Sequence, residues 1–337
     1  MKIVYMGTPD FAVAPLEAII KAGHEVTLVV TQPDKQKGRG KEMQMTPVKE
    51  CALRHGIPVF QPVKIKEAAS VAELAGYPAD IFVVAAFGQL LSEEILSMPK
   101  FGCVNIHASL LPAYRGAAPI QWAVINGEKE SGVTIMQMEK GLDTGVMYCK
   151  RSVPIDKKET GESLHDKLMA VGAELIVESL PKIERGELKP EKQDDSLTCY
   201  APRLTKAMGL IDWEKDAVSI ERLIRGLNSW PSAYTYYRGK TLKIWEADVV
   251  SESCGGGTDS EAKIPEKEAG RAEKIPGSIV NVERDFFDIA TGGGLLRVKC
   301  VQLEGKKRMP VKDFLLGYEV KIGLTLEGVC GTGMEEF

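Results

Sequence analysis

The stretch KIVYMGTPDFAVAPLEAIIKAGHEVTLVV, residues 2 to 30, decides the fold. Its opening, Lys2 to Gly7, is almost wholly apolar and breaks at Gly7-Thr8-Pro9, as a short buried strand does at a tight turn. Phe11, Ala14, Leu16, Ile19 and Ile20 then recur at helical spacing. Glu25 to Val30 returns to a continuous apolar run, a second strand. Strand, helix and strand within about thirty residues form a βαβ unit, whose strands pair in parallel. The turn does not make this unit a dinucleotide site. That fingerprint needs three glycines at set positions, and GTPDFA holds only Gly7.

The same pattern continues in Asp80 to Gly88 (DIFVVAAFG), Cys103 to Ser109 (CVNIHAS) and Ser131 to Met138 (SGVTIMQM). Strands apolar along their whole length are covered on both faces, so a parallel sheet between helices is expected, a Rossmann-like α/β domain. Leu164, Leu168, Val171 and Leu175 draw one helical stripe between Glu162 and Leu180. The first domain is therefore placed at 1–184 and the polar stretch 185–206 reads as a linker. The segment 207–337 opens with an amphipathic helix, Ala217 to Asn228. It continues from Ala233 in short strands without helices between them, the pattern of a small antiparallel barrel or sandwich. Ser251 to Ile275, poor in apolar residues, reads as a flexible insertion between those strands.

The 337 residues are 44% hydrophobic and 27% charged, an ordinary globular composition with room for two domains. No run approaches the roughly 18 apolar residues of a membrane span, and the N-terminus lacks a secretory layout, so a cytoplasmic chain with no membrane partner is expected. Seven cysteines stand singly with no CxxC spacing, which argues against a disulfide framework and against a zinc site. The net charge of −4 leaves nucleic-acid binding to local basic patches.

The chemistry concentrates in NIHASLLP, residues 105 to 112. Residues i and i+2 of a strand share a face, so Asn105 and His107 project side by side near the end of a central strand, where open α/β sheets hold ligands. An Asn amide can hold a developing oxyanion, and a His can move a proton near neutral pH. A hydrogen-bonded core histidine beside a polar neighbour is the plainer alternative. EKGLDTG, Glu139 to Gly145, follows the next strand and is expected to bring Asp143 to the same end of the sheet. There an Asp can orient the ring. No GxSxG is present, and Cys103 has no clear partner, so an acyl-type transfer here needs a nucleophile from a substrate.

NIHASLLPAYRGAAPIQWAVINGE (105–128) together with GVTIMQMEKGLDTGVM (132–147) resembles the formyltransferase family that uses 10-formyltetrahydrofolate. The resemblance implies that Asn105, His107 and Asp143 are catalytic and that no metal takes part. It assigns Ser109, Leu110, Leu111 and Pro112 to the folate-site loop, and Phe87 with Gly88 to the wall of the pterin pocket. MGTPDFAVAPLEAI, TQPDKQKGRGKEMQMTPVK and IDWEKDAVSIERLIRGLNSWPSAYT resemble the branch whose acceptor is charged initiator tRNA. That branch implies a C-terminal OB-like β-barrel, transfer to the methionine α-amine of initiator methionyl-tRNA, and Arg39 at the end of the acceptor stem.

The residues themselves agree on the loop. Lys35, Lys37, Arg39 and Lys41 alternate with Gly38 and Gly40, cations on a pliable backbone suited to phosphates. Lys206, with Arg203, Lys243 and Lys306-Lys307-Arg308, forms a second candidate patch. Each of these charges is also an ordinary solvated one when taken alone. A small amine acceptor, and an inert α/β domain carried by an RNA-binding protein, remain the alternatives. Nothing forces association, so a monomer is expected.

Overall fold

The computed structural model describes residues 1–37, 42–250 and 275–328. The chain divides into two compact units, the first of residues 1–123, 128–157 and 163–203 and the second of 124–127, 158–162 and 204 onward.

The first unit opens with β1 (Lys2–Gly7), α1 (Val13–Lys21) and β2 (Glu25–Val30). A hairpin of β3 (Lys35–Lys37) and β4 (Glu42–Gln44) follows, then α2 (Pro47–Arg54), β5 (Val59–Phe60), α3 (Ala68–Ala75) and β6 (Ile81–Ala85). Next come α4 (Glu93–Leu96), β7 (Cys103–His107), β8 (Arg115–Gly116), α5 (Pro119–Ile125), β9 (Glu130–Gln137) and β10 (Met147–Pro154). The long helix α6 (Gly161–Glu184) and the short strand β11 (Tyr200–Ala201) complete it. The sheet order is β10-β9-β7-β6-β1-β2-β5. Its five strands from β5 to β7 run parallel, as the buried runs Ile3–Met6 and Ile81–Ala85 require of strands covered on both faces. On one face Val4, Met6, Phe82 and Val84 pack with Val71 and Leu74 of α3. On the other, Gly172 of α6 lies against Ile106 and Val133. Gly7 permits the first turn: a Cβ there would sit 2.6 Å from the Ala12 Cβ and 3.0 Å from the Ala85 carbonyl.

One direction differs from expectation. SGVTIMQM continues the sheet but runs antiparallel to β7, and β10 antiparallel to β9. A strand buried on both faces looks the same in either direction, so apolar content could not reveal this. Its consequence is that β9 ends beside the start of β7, since Gln137 pairs with Val104 while Thr134 pairs with His107. Asp143 is therefore not carried to the site by a parallel strand end. The loop after β9 folds back to bring it there.

The stretch expected as a linker also takes a definite place. Up to Arg203 it belongs to the first unit. Glu191 bridges Met147, β11 pairs with β8, and the Trp122 indole donates to the Pro202 carbonyl.

The second unit is built on α7 (Ala217–Gly226), β12 (Ala233–Tyr237), β13 (Lys240–Val250), β14 (Ile279–Val282), β15 (Phe287–Ala290), β16 (Leu295–Leu303), β17 (Met309–Pro310) and α8 (Val311–Gly317). The strands form one antiparallel sheet of order β12-β13-β16-β15-β14, with β17 on β16. Residues 323–327 join its two edges: Glu327 and Tyr236 exchange backbone hydrogen bonds, and Leu326 donates to Gly277. The sheet thus closes on itself in an OB-like arrangement, with no long unpaired edge among the described residues. Ile220 and Ile224 of α7 plug the core against Leu242, Ile244, Phe287 and Leu296.

Candidate active site

Asn105 and His107 share a face of β7, and both reach Asp143. The Asn105 amide donates to Asp143 Oδ1 at 3.5 Å, and His107 Nδ1 lies 3.7 Å from Oδ2. The Gly116 backbone N–H donates to the same Oδ2 at 2.9 Å. On the far side of the ring, His107 Nε2 is 3.0 Å from the Tyr114 carbonyl. A carbonyl only accepts, so Nε2 carries the proton and Nδ1 is the nitrogen able to take one up. With 6% of its surface exposed, His107 has few alternatives to this orientation. Asp143 itself holds a φ of +52°, a left-handed conformation unusual for a residue other than glycine.

The turn after β7 supplies the frame. The Ser109 hydroxyl donates to the Ala113 carbonyl at 2.7 Å, and buried Thr134 donates to Ser109 O while accepting from Leu111 N. Leu111 packs between Met136 and Met147, and Lys150 Nζ donates to its carbonyl. From the strap after α6, Thr198 donates to Pro112 O. The Tyr114 N–H points at Cys199 Sγ, 3.2 Å away. Gln193, buried in that same strap, donates to the carbonyls of Asp143 and Gly145, each at 2.7 Å.

A proton-accepting nitrogen, a carboxylate and an amide donor on one strand-end surface suit the transfer of an acyl-type group between two substrates. Comparison with known proteins specifies the group. A family profile described as formyl transferase matches residues 1–180, and one described as the formyl transferase C-terminal domain matches 203–319. The chain belongs to the formyl transferase family. A methionyl-tRNA formyltransferase of Agathobacter rectalis is 54% identical over 96% of this chain and 98% of its own. One of Lachnospira eligens is 52% identical over 97% and 99%. The fold is shared with the crystal structure of WlaRD, a sugar 3N-formyl transferase in the presence of dTDP and 5-N-formyl-THF. It is 20% identical at a TM-score of 0.62 and covers 91% of this chain and 99% of that one.

The other residues singled out in this formyl transferase fall into distinct places. Phe87 is core, and its carbonyl accepts from Thr8 and Gln32. Gly88 is exposed at a φ of +84°, where backbone can approach a ligand. Ser109 and Leu111 are buried framework, while Leu110 and Pro112 are partly exposed. Lys35 is exposed on the β3–β4 hairpin. Arg39 and Lys41 lie outside the described residues, and the side chain of Lys37 with them. In the second unit Lys206 is exposed, and Lys243 and Arg308 both lie over the Trp245 ring.

Among the described residues, one group of three can offer metal ligands: Glu17, Cys51 and His55. Arg54 already ion-pairs Glu17, and burial together with Glu17 pushes the Cys51 thiol up, so the group is a poor host for a divalent cation.

Sequence reasoning missed Gln193, Tyr114 and Gly116. Tyr114 and Gly116 act through backbone atoms, which any residue supplies, and Gln193 is a single buried amide in a polar stretch. Cys103 is no nucleophile, because burial pushes its thiol up to about 12. Iodoacetamide on the native protein at pH 8 is therefore expected to modify exposed Cys199 and to spare Cys103 until denaturant is added, read by peptide mass spectrometry. Equal labelling of the two would contradict this burial.

Proposed function

We propose that this chain moves the formyl group of 10-formyltetrahydrofolate onto the α-amine of methionine carried by initiator methionyl-tRNA. The observation that carries this reading is the 54% identity to a methionyl-tRNA formyltransferase across both units at once. The site is the chemistry such a transfer needs.

A methionine α-amine has an ordinary pKa of about 7.7–8.0, so a useful fraction is neutral and nucleophilic near neutral pH. As it adds to the formyl carbon, the amine gains positive charge and the formyl oxygen gains negative charge. His107 Nδ1 takes the proton lost by the amine. The Asp143 carboxylate, 3.7 Å from that nitrogen, stabilises the imidazolium that forms. One N–H of Asn105 leans on Asp143, and the other donates to the formyl oxygen. Collapse returns the proton from His107 to the folate nitrogen as the carbon–nitrogen bond breaks. His107 is buried, the Gly116 N–H holds Asp143, and Asp143 in turn holds Asn105, so little reorganisation accompanies the charge movement.

In this reading Leu110, Pro112 and Gly88 line the folate side, with Ser109, Leu111 and Phe87 shaping it from behind. Lys35, Lys37, Arg39 and Lys41 meet the tRNA near the methionine, and Lys206 tracks phosphates from the second unit. The enzyme acts as a cytoplasmic monomer. No described helix is long and apolar enough to cross a membrane.

The test is formyl transfer from labelled 10-formyltetrahydrofolate, offered separately with methionyl-initiator-tRNA and with glycinamide ribonucleotide. Label on the tRNA-borne methionine alone is the expected result. Label on the small amine alone would overturn the acceptor and keep the chemistry. Label on neither would remove the catalytic reading and leave an RNA-binding protein.

A further inference from the structure

The geometry points to Gln193 as a positioning residue for Asp143, clamping the loop that presents the carboxylate to His107. This rests on the catalytic reading of Asp143 given above. The side-chain amide of Gln193 has two N–H donors and one oxygen, and all are engaged. The donors reach the carbonyls of Asp143 and Gly145, both at 2.7 Å. The oxygen accepts from Arg115 Nε at 3.0 Å and Arg115 Nη2 at 2.8 Å. Turning the amide over would set its oxygen against two carbonyls and its N–H groups against a guanidinium, so the chemistry admits one orientation. Arg115 is fixed in turn by Asp195, 2.8 Å away, and by β8 pairing with β11.

Three separate segments meet at this one buried side chain, 5% exposed. They are the turn after β7 that holds Tyr114 and Arg115, the returning loop 138–146, and the strap after α6. The loop needs such a clamp. Asp143 sits in a left-handed conformation that an aspartate adopts only at a cost, and left-handed backbone persists where its surroundings over-determine it. Gln193 grips the carbonyl of Asp143 itself and that of the residue two places on. The two peptides that follow Asp143 and Gly145 are thereby fixed, and with them the course of the loop that aims the carboxylate. Its role is that of an outer partner which orients a reacting group without touching substrate.

Gln193→Glu tests this closely. The substitution keeps an oxygen for Arg115 and turns the two donors into a second oxygen facing two carbonyls. kcat is expected to fall about 30-fold. KM for the folate and for the tRNA should stay within about threefold, because neither substrate is touched. Where thermal melting shows that Gln193→Glu is unfolded, Gln193→Asn serves, one methylene too short to reach both carbonyls. The deciding measurement repeats the substitution in an Asp143→Ala background, with single turnovers at excess enzyme. There the further loss should be under about twofold, since a residue acting through Asp143 has nothing left to position. An equal loss in both backgrounds would make Gln193 a structural residue only. An unchanged kcat in folded Gln193→Glu would remove the role outright. Near-normal turnover in Asp143→Ala would instead overturn the reading of the site, so the two failures are told apart.

Discussion

His107→Gln is expected to lower kcat by about a thousandfold while leaving the protein folded, the upper-middle range for loss of a group that moves a proton in the transition state. The choice of glutamine matters. His107 does two things in the structure: Nε2 donates to the Tyr114 carbonyl, and Nδ1 faces Asp143. Glutamine keeps an N–H for the carbonyl and offers no nitrogen that can take up a proton. His107→Ala loses both, together with the packing of a buried ring, which costs about 1–3 kcal/mol of stability. The two variants should therefore share the kinetic defect and differ in Tm, with alanine melting lower. KM for both substrates should change little in the glutamine variant, because the lost interaction belongs to the transition state. A His107→Gln enzyme retaining a third of the wild-type kcat would make the histidine the packed core residue that its burial also allows.

That alternative could not be dismissed from the sequence, and the reason is physical. Residues 105 and 107 follow from strand periodicity, so their shared face was legible. What makes one of them a proton carrier is a carboxylate 36 positions further on, delivered by a loop whose course depends on strand direction. Direction is not encoded in apolar content: β9 is as continuously buried as β6, yet runs the other way. The βαβ opening was legible because a helix separates its strands and a parallel crossover is the short solution. The strap was illegible for a different cause. Residues 190–202 are mostly exposed and bind through backbone pairing, a Thr hydroxyl and one amide, so they leave no hydrophobic pattern to read. Gly116 is another silent contributor. It donates its N–H to Asp143, and at a φ of +123° it has no room for a Cβ beside Ala201 O, 2.6 Å away. Only the folded arrangement separates such a glycine from one that merely ends a strand.

Gly145→Ala is expected to cost about a hundredfold in kcat without removing any catalytic group, the penalty associated with a misplacement of roughly 1 Å. Gly145 crosses β9 so closely that a Cβ would stand 1.9 Å from the Gln137 carbonyl oxygen. Ordinary contact begins at 3.4 Å, so about 1.5 Å must be found, being 3.4 minus 1.9. The obstacle is backbone inside a central sheet, where the Gln137 N–H also donates to the Val146 carbonyl. The loop must therefore yield rather than the strand. Moving it withdraws Asp143, two residues away, from a histidine it meets at 3.7 Å, and breaks the grip of Gln193 on the Gly145 carbonyl. The same strain should lower stability by about 1–3 kcal/mol. Gly317→Ala, at the end of α8 with nothing near its Cβ position, is the matched control and should leave kcat and Tm close to wild type. Folate and tRNA affinity should persist in Gly145→Ala, since the displaced loop carries the proton chemistry and not the binding surfaces. If Gly145→Ala turned over like the control, the returning loop would not be what aims Asp143, and the carboxylate would owe its place to Asn105, His107 and Gly116 alone.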